Sequence, residues 1–448
     1  MTPLIPLASA GFMPLPLIFS SGETHMKNEY ILMTCLTAAL AVLSSSAQTY
    51  ATGDSRTVTA PKAPAACETL SAQFTSSAVD VGTPTTSDDT SRVQAALTAC
   101  ENTGKAVVLA ASGSDNAFLI GKITIEADEA LVINSGVTLY GNNSYNSESE
   151  LVYIASSSVG IYGPGTIDGR ANVHTFSDTP RLVQTDGASN FIIADINLQN
   201  AAHPNLYIQG GSGATVWSVT INTSPNQANA DGIDIDSISD VTVYSTKITA
   251  GDDGIAIKTN ESAVSNITIN DVTLYGTHGL SVGSQTFDGV TNVLFENSYV
   301  YGKTSSGVAS TDANAINIKT DPDCGGLVQQ VTYQNICQEY TKHLIILNAE
   351  YGSCSGTSGT PKFENIIVNG ALSKNSVSGA YETLAGYNSS NIAQIYIGNI
   401  DLDSNTQSGD EYAKVYLDNV TGFSPSGTDV TTSTWSASGS VPSCSFTF

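Results

Sequence analysis

A short run of β-branched residues, closed off by Asn, Ser, Gly or Asp, returns along this chain at near-constant spacing, and few folds can accommodate such a repeat. The runs beginning Phe191-Ile192-Ile193, Ala214-Thr215-Val216, Val241-Thr242-Val243, Ile267-Thr268-Ile269 and Val293-Leu294-Phe295 lie roughly 23 to 27 residues apart, a period that belongs to solenoids. A second run follows inside each period, as in Gly254-Ile255-Ala256-Ile257 or Leu280-Ser281-Val282. Each coil therefore holds two or three short strands joined by tight turns. Such strands bury little alone, so they must stack on their counterparts in the next coil, with inward Val, Ile and Leu forming one continuous core. Leucine-rich repeats would need a fixed Leu/Asn consensus and propellers about 40 residues per blade; neither pattern is present. The expected fold is all-β, a single-stranded right-handed parallel β-helix with a short N-terminal capping helix. That helix is read over Asp88 to Ala99, with Asp89 or Thr90 as N-cap and Val93, Ala96 and Leu97 on its apolar face.

Charge narrows the partners. Lys and Arg total 16 against 41 Asp and Glu, a formal net charge of −25, and no basic tract interrupts that excess. Nucleic acid and anionic membrane surfaces are thereby excluded as expected partners. Met26-Lys27 opens a stretch whose apolar run, Tyr30 to Leu43, ends in Ser45-Ser46-Ala47, a small-x-small cleavage pattern. The run is too short to anchor in a bilayer. Residues 26–47 are thus read as a signal peptide, residues 1–25 as an extension preceding the true start at Met26, and residues 48–448 as one secreted, monomeric β-helix domain.

Of seven cysteines, Cys35 falls within the signal. The remaining Cys67, Cys100, Cys324, Cys337, Cys354 and Cys444 form an even set in an exported chain, which points to disulfides. Proximity in sequence favours Cys67 with Cys100 and Cys324 with Cys337, leaving Cys354 for Cys444. There is no CxxC spacing and only 5 His, so neither a metal site nor a cofactor is expected.

Equivalent positions on successive coils lie roughly 4.7–4.9 Å apart, so residues one period apart can share a site. Asn229-Ala230-Asp231-Gly232-Ile233-Asp234, Gly251-Asp252-Asp253-Gly254 and Gly276-Thr277-His278-Gly279 fall on three consecutive coils. Three acids and a histidine are thereby gathered on one side. Cleaving a glycosidic bond takes a protonated carboxyl at the leaving oxygen and a second carboxylate to direct water or attack the sugar. Crowding of like charges raises one pKa and supplies that acid. Lys258, on the strand after the acidic pair, and Lys319, in Asn317-Ile318-Lys319, suit a carboxylated sugar, and mildly acidic working pH is expected. Taken singly, an Asp-Asp pair between glycines reads as a solvated turn, a lone His as a structural hydrogen-bonder, and a Lys as surface charge. Occurrence in order, at coil spacing, reverses that reading. His203-Pro204-Asn205, one coil earlier, either lines the cleft or stabilises a turn.

The ordered set resembles the polygalacturonase family of glycoside hydrolases, family 28, whose motifs are Asn-Thr-Asp, Gly-Asp-Asp, Gly-His-Gly and Arg-Ile-Lys. The resemblance spans roughly residues 60 to 430 and includes Asp88 to Leu97 and Gly163-Pro164-Gly165-Thr166-Ile167-Asp168-Gly169. It implies hydrolysis of α-1,4-galacturonosyl linkages in pectin or polygalacturonate by inverting, single-displacement chemistry. Asp252 would be the general acid, with Asp231 and Asp253 holding and deprotonating water. His278 would tune the acid's protonation, and Lys319 would bind a substrate carboxylate, with Asn229, Lys258, Asn317 and Tyr351 also at the substrate. Two departures, Ala230 for Thr and Thr277 for Gly, keep the reacting side chains. A third puts Asn317 where the family has Arg, removing a guanidinium able to grip a carboxylate in bidentate fashion; xylogalacturonan or rhamnogalacturonan backbones are the alternative substrates. Rival readings of another class are a pectate-type lyase, which needs calcium and a basic Arg or Lys beside the acids, and a non-catalytic glycan-binding β-helix, which needs no acid cluster.

Overall fold

The computed structural model describes residues 48–80, 88–352 and 359–446. The expected extension, signal peptide and Cys354 lie outside the described residues. From Ala66 onward the chain winds into a right-handed parallel β-helix, every strand pairing in parallel with its counterpart one coil away. Among the described residues, no helix is long and apolar enough to cross a membrane.

One stack of ten strands runs from Ile123–Ile125 to Tyr381–Ala385. Its register aligns Leu206, Ile233, Ile255, Leu280, Ile316 and Ile345 in one inward row. All six are fully buried, each contributing about 1.5–3 kcal/mol by leaving water. The period-2 pleat sends the alternate residues outward, so Tyr207, Asp234, Ala256, Ser281, Asn317, Ile346 and Thr383 form an outward row on the same strands.

Two other stacks close the coil and merge at Val290–Tyr301, which pairs with both Val264–Asn270 and Thr273–Tyr275. At the bend within this strand Asn297 adopts φ 51° and Asn335, one coil on, φ 56°, a left-handed conformation that Asn tolerates better than other side chains. Their amides also hydrogen-bond along the stack, Asn335 Nδ2 donating to Asn297 Oδ1 at 3.1 Å and Asn297 Nδ2 to Asn270 Oδ1 at 3.3 Å. An Asn side chain both donates and accepts, so such a ladder can continue from coil to coil.

The expected cap is present as helix Thr90–Cys100, with Val93, Ala96, Leu97 and Cys100 buried against the first coils. Asp89 occupies the N-cap position, but its side chain makes no cap hydrogen bond. It accepts instead from Arg92 Nε at 2.6 Å and the Leu119 amide at 2.9 Å, tying the helix to the strand Ala117–Ile120. Cys67 and Cys100 are joined as expected. The other pairing is corrected: Cys337 bonds to Cys444, so neither Cys324–Cys337 nor Cys354–Cys444 forms. Sequence proximity misleads here because the C-terminal segment runs back over the outside of earlier coils. Trp435 Nε1 donates to the Ile397 carbonyl at 3.0 Å and Asn369 Nδ2 to that of Ser438 at 2.9 Å, which carries Cys444 to the strand Leu327–Glu339.

The other end is also folded back. Residues 49–56 lie across the strands, Thr49 bonding to Asn365, Ala51 to Thr332, Gly53 to Asn292, Asp54 to Thr268 and Thr242, and Arg56 to the Ala214 carbonyl. This segment touches six successive coils within eight residues.

Two predictions follow from these features. Cys444→Ala is expected to cost on the order of 2–4 kcal/mol of stability, read as a lower denaturation midpoint; an unchanged midpoint would show that the disulfide contributes nothing. Glu382 is buried with one oxygen unpartnered, and that desolvation, reinforced by Asp410 and Asp403 against its backbone hydrogen bond, pushes its pKa up to about 8. The folded chain therefore holds a proton that the unfolded chain releases, and stability falls as pH rises from the ordinary glutamate range to about 8. Glu382→Gln should raise the melting temperature at pH 8 and change it little near pH 4.5, whereas equal shifts at both would refute the assignment.

Candidate active site

The site forms where a turn enters the ten-stranded stack. Since Ile233, Ile255 and Leu280 share one row, the residues two places before them, Asp231, Asp253 and His278, occupy equivalent positions on three adjacent coils, with Asp252 beside them. Close stacking here excludes a Cβ. One added at Gly232 would lie 2.3 Å from the Gly254 carbonyl oxygen, and one at Gly279, whose φ is +96°, 2.6 Å from that of Asn314. The glycines flanking the acids thus let the backbones of neighbouring coils approach, which brings the side chains together.

Each acid has a distinct environment. Asp231 is buried, and Lys258 Nζ lies 2.9 Å both from its Oδ2 and from Oδ1 of Asp234. Asp253 is buried, accepts from Lys319 Nζ at 2.9 Å and from Ser281 Oγ at 2.7 Å, and Asn317 Nδ2 donates to Ser281 Oγ at 3.1 Å. Asp252 is the accessible member, its side chain 27% exposed, with Oδ1 2.8 Å from His278 Nδ1. Burial disfavours the imidazolium, but the hydrogen bond from Asp252 and the charges of Asp252 and Asp253 outweigh it, and the His278 pKa is raised. Burial and the neighbouring Asp231 charge raise Asp234 well above the carboxylate range, against the pull of Lys258. Asp252, Asp253 and His278 each offer one ligand-type atom within 4.8 Å of the others, each already engaged by a protein partner.

Two hollows share this wall. The first, about 270 Å³, is bounded by Asn229, Asp231, Asp234, Asp252, Asp253 and Lys258, with His203 at one end and Lys319 and Tyr351 at the other. The second, about 290 Å³, begins at His278, Asn317, Lys319 and Tyr351 and extends over the next two coils. Tyr351 stands at their junction, 55% exposed, with Lys319 Nζ 5.0 Å from its ring centroid. All nine candidates, Asp231, Asp252, Asp253, His278, Asn229, Lys258, Asn317, Lys319 and Tyr351, thus line one continuous cleft. Lys258 and Lys319 are both ion-paired, and Asn317 is committed to Ser281 rather than to open space.

Sequence reading missed Asp234 and Ser281 as parts of the site, and left His203 undecided. Strict alternation in Ile233-Asp234-Ile235-Asp236 puts both acids outward, a signal that could have found Asp234. Asp236, by contrast, serves structure, accepting from Tyr207 Oη at 2.6 Å and from the Asn260 amide at 2.9 Å.

Comparison with known proteins agrees with this geometry. The family model for glycosyl hydrolases family 28 matches residues 100–434. An endo-polygalacturonase of Pectobacterium parmentieri is 30% identical over 395 residues, covering 79% of this chain and 90% of that protein. A polygalacturonase of Ralstonia solanacearum is 29% identical, covering 77% and 78%. The solved polygalacturonase of Erwinia carotovora ssp. carotovora superposes with a TM-score of 0.71 at 29% identity, over 81% of this chain and 99% of its own. Shared sequence across most of its length, a shared coil, and acids gathered where the coils stack together place this glycosidase in glycosyl hydrolases family 28.

Proposed function

We propose that this chain is a secreted polygalacturonase that hydrolyses α-1,4-galacturonosyl linkages of pectin by inverting general acid/base catalysis, with Asp252 as the acid. The observation that carries this reading is the unequal treatment of the three aspartates. Asp231 and Asp253 are buried and each bridged to a lysine, which fixes their oxygens and suits them to hold and deprotonate a water. Asp252 alone is open to the hollow and hydrogen-bonded to a histidine, which suits it to deliver a proton to a departing oxygen. In the displacement, Asp252 gives its proton to the glycosidic oxygen as the C–O bond breaks, while water adds to the anomeric carbon from the opposite face and loses a proton to the Asp231–Asp253 side. His278 holds the carboxyl of Asp252 in place, and Lys319 faces the boundary where a uronate carboxylate would lie.

Low pH also helps the polyanion to bind. The first hollow carries four carboxylates, Asp231, Asp234, Asp252 and Asp253, against two lysines, so each proton taken up reduces repulsion of a galacturonate chain. Because the His278 pKa is raised from 6.5, its charged form persists above that value and is lost as pH rises further.

Activity is therefore expected to be highest in mildly acidic solution and to fall through the range where His278 loses its proton. His278→Gln should remove that alkaline limb, and a flat profile in the unaltered chain would argue against the role. Asp252→Asn should reduce hydrolysis of de-esterified polygalacturonate by about 10²–10⁴-fold without changing the melting temperature by more than a few degrees. The unaltered chain should yield saturated products with new reducing ends, and NMR of the first product should show the anomer opposite to that of the substrate. Unsaturated uronates would instead identify a lyase, and retained configuration a double displacement.

A further inference from the structure

The outward row carries one acid, Asp234, and no charge beyond it. Running from Asp234 through Ala256, Ser281 and Asn317, it finishes in Ile346 and Thr383 on the last two strands of the stack. Beyond Asn317 the second hollow is walled by Asn314, His343, Ile346, Asn348, Tyr381 and Thr383. None of these offers a fixed cation. His343 bonds through Nδ1 to Asn314 Oδ1 and packs edge-on against Tyr381, ring centroids 4.7 Å apart. Burial, with help from the nearby Lys342, lowers its pKa to about 4, so the ring is neutral at working pH. The hollow's one carboxylate, Asp312, is exposed and paired with Lys342 at 3.2 Å. The cations at the boundary are already held, Lys319 by Asp253 and His278 by Asp252.

A free uronate carboxylate entering this part of the cleft would lose water and find no opposite charge. A bare carboxylate in such a place is strongly disfavoured. The same walls suit an uncharged pyranose: the amide of Asn348 can bond to a sugar hydroxyl, the Thr383 hydroxyl, which donates to the Ser408 carbonyl at 2.7 Å, can still accept from one, Tyr381 offers a ring face, and Ile346 an apolar contact.

We propose, resting on the hydrolase reading above, that this outer hollow receives an uncharged sugar unit, so that the chain cuts beside a methyl-esterified galacturonate or a neutral sugar in preference to a run of free galacturonates. The sugar at the boundary can keep a free carboxylate, because the Lys319 ammonium has donors left beside its bond to Asp253, and selectivity arises one unit further on. Ile346 is the specificity-determining position, because it points outward from the centre of the hollow and contributes no charge.

The test compares kcat/KM on three substrates at one pH and salt concentration: de-esterified polygalacturonate, partly methyl-esterified polygalacturonate and xylose-substituted galacturonan. The expected result is a preference of about tenfold for one of the uncharged-unit substrates over the de-esterified chain, the arm that wins identifying ester or neutral sugar as the occupant. Ile346→Lys should reverse the preference toward de-esterified chains. Thr383→Lys provides an independent cation if the first variant melts early. Faster cleavage of the de-esterified chain by the unaltered protein, or a lysine that leaves the ratio unmoved, overturns the proposal while leaving the hydrolase reading intact. Saturated products from none of the three would sink both.

Discussion

Parallel pairing of each coil with the next fixes both the core and the chemistry. The ladder holds equivalent residues about 4.8 Å apart, so any residue type repeated at the period becomes a row. Inward, the row is Leu206, Ile233, Ile255, Leu280, Ile316 and Ile345, all fully buried. At the turn just outside it, the row is Asp231, Asp253 and His278. This cluster of acids and histidine is thus a by-product of the stacking that makes the core: shift one coil by a residue and Ile255 leaves the interior as Asp253 leaves the cluster. Glycines at 232 and 279 keep that stacking tight where a Cβ would collide with carbonyl oxygens of the neighbouring coil.

Charge inside the cleft is managed by pairing rather than by excess. Four carboxylates meet two lysines, and the protein does not neutralise the remainder with arginine. Asp234 instead leans toward its protonated form, sharing Lys258 with Asp231. Such an arrangement fixes the orientation of two buried carboxylates while leaving Asp252 open to the hollow. Both lysines of the cleft, Lys258 and Lys319, stand with the four carboxylates of the first hollow, whereas Ile346 and Thr383 line the far part of the second, which makes the cleft electrically asymmetric along its length.

Much of this was legible in the sequence because a solenoid converts spacing into position. The repeat of β-branched runs announced the coil, the ordered acidic and histidine motifs announced the site, and the apolar face of Val93, Ala96 and Leu97 announced the cap. What escaped were contacts that cross the repeat. Cys444 reaches Cys337 because the tail doubles back over the outside, and no local pattern encodes that return. Asp89 sits where a cap belongs, yet its carboxylate is taken by Arg92 and the Leu119 amide, a tertiary choice that overrides the local rule. Asp234 lay in plain view between two isoleucines, but its role became evident only when Lys258 of the next strand was seen to bridge it to Asp231.

The crossing segment at residues 49–56 has a geometric implication of its own. It spans six strands, hence five gaps of about 4.8 Å, or about 24 Å, with Arg56 and Asp54 reaching the far coils through their side chains. Its contacts fall on successive coils, so it gauges the number of coils between Ala214 and Asn365. Its partners run from Ala214 to Asn365, so its set of contacts is complete only once the coil bearing Asn365 has wound. A chain that gained or lost one coil in this stretch could still stack its strands, but residues 49–56 would no longer match them one contact to a coil.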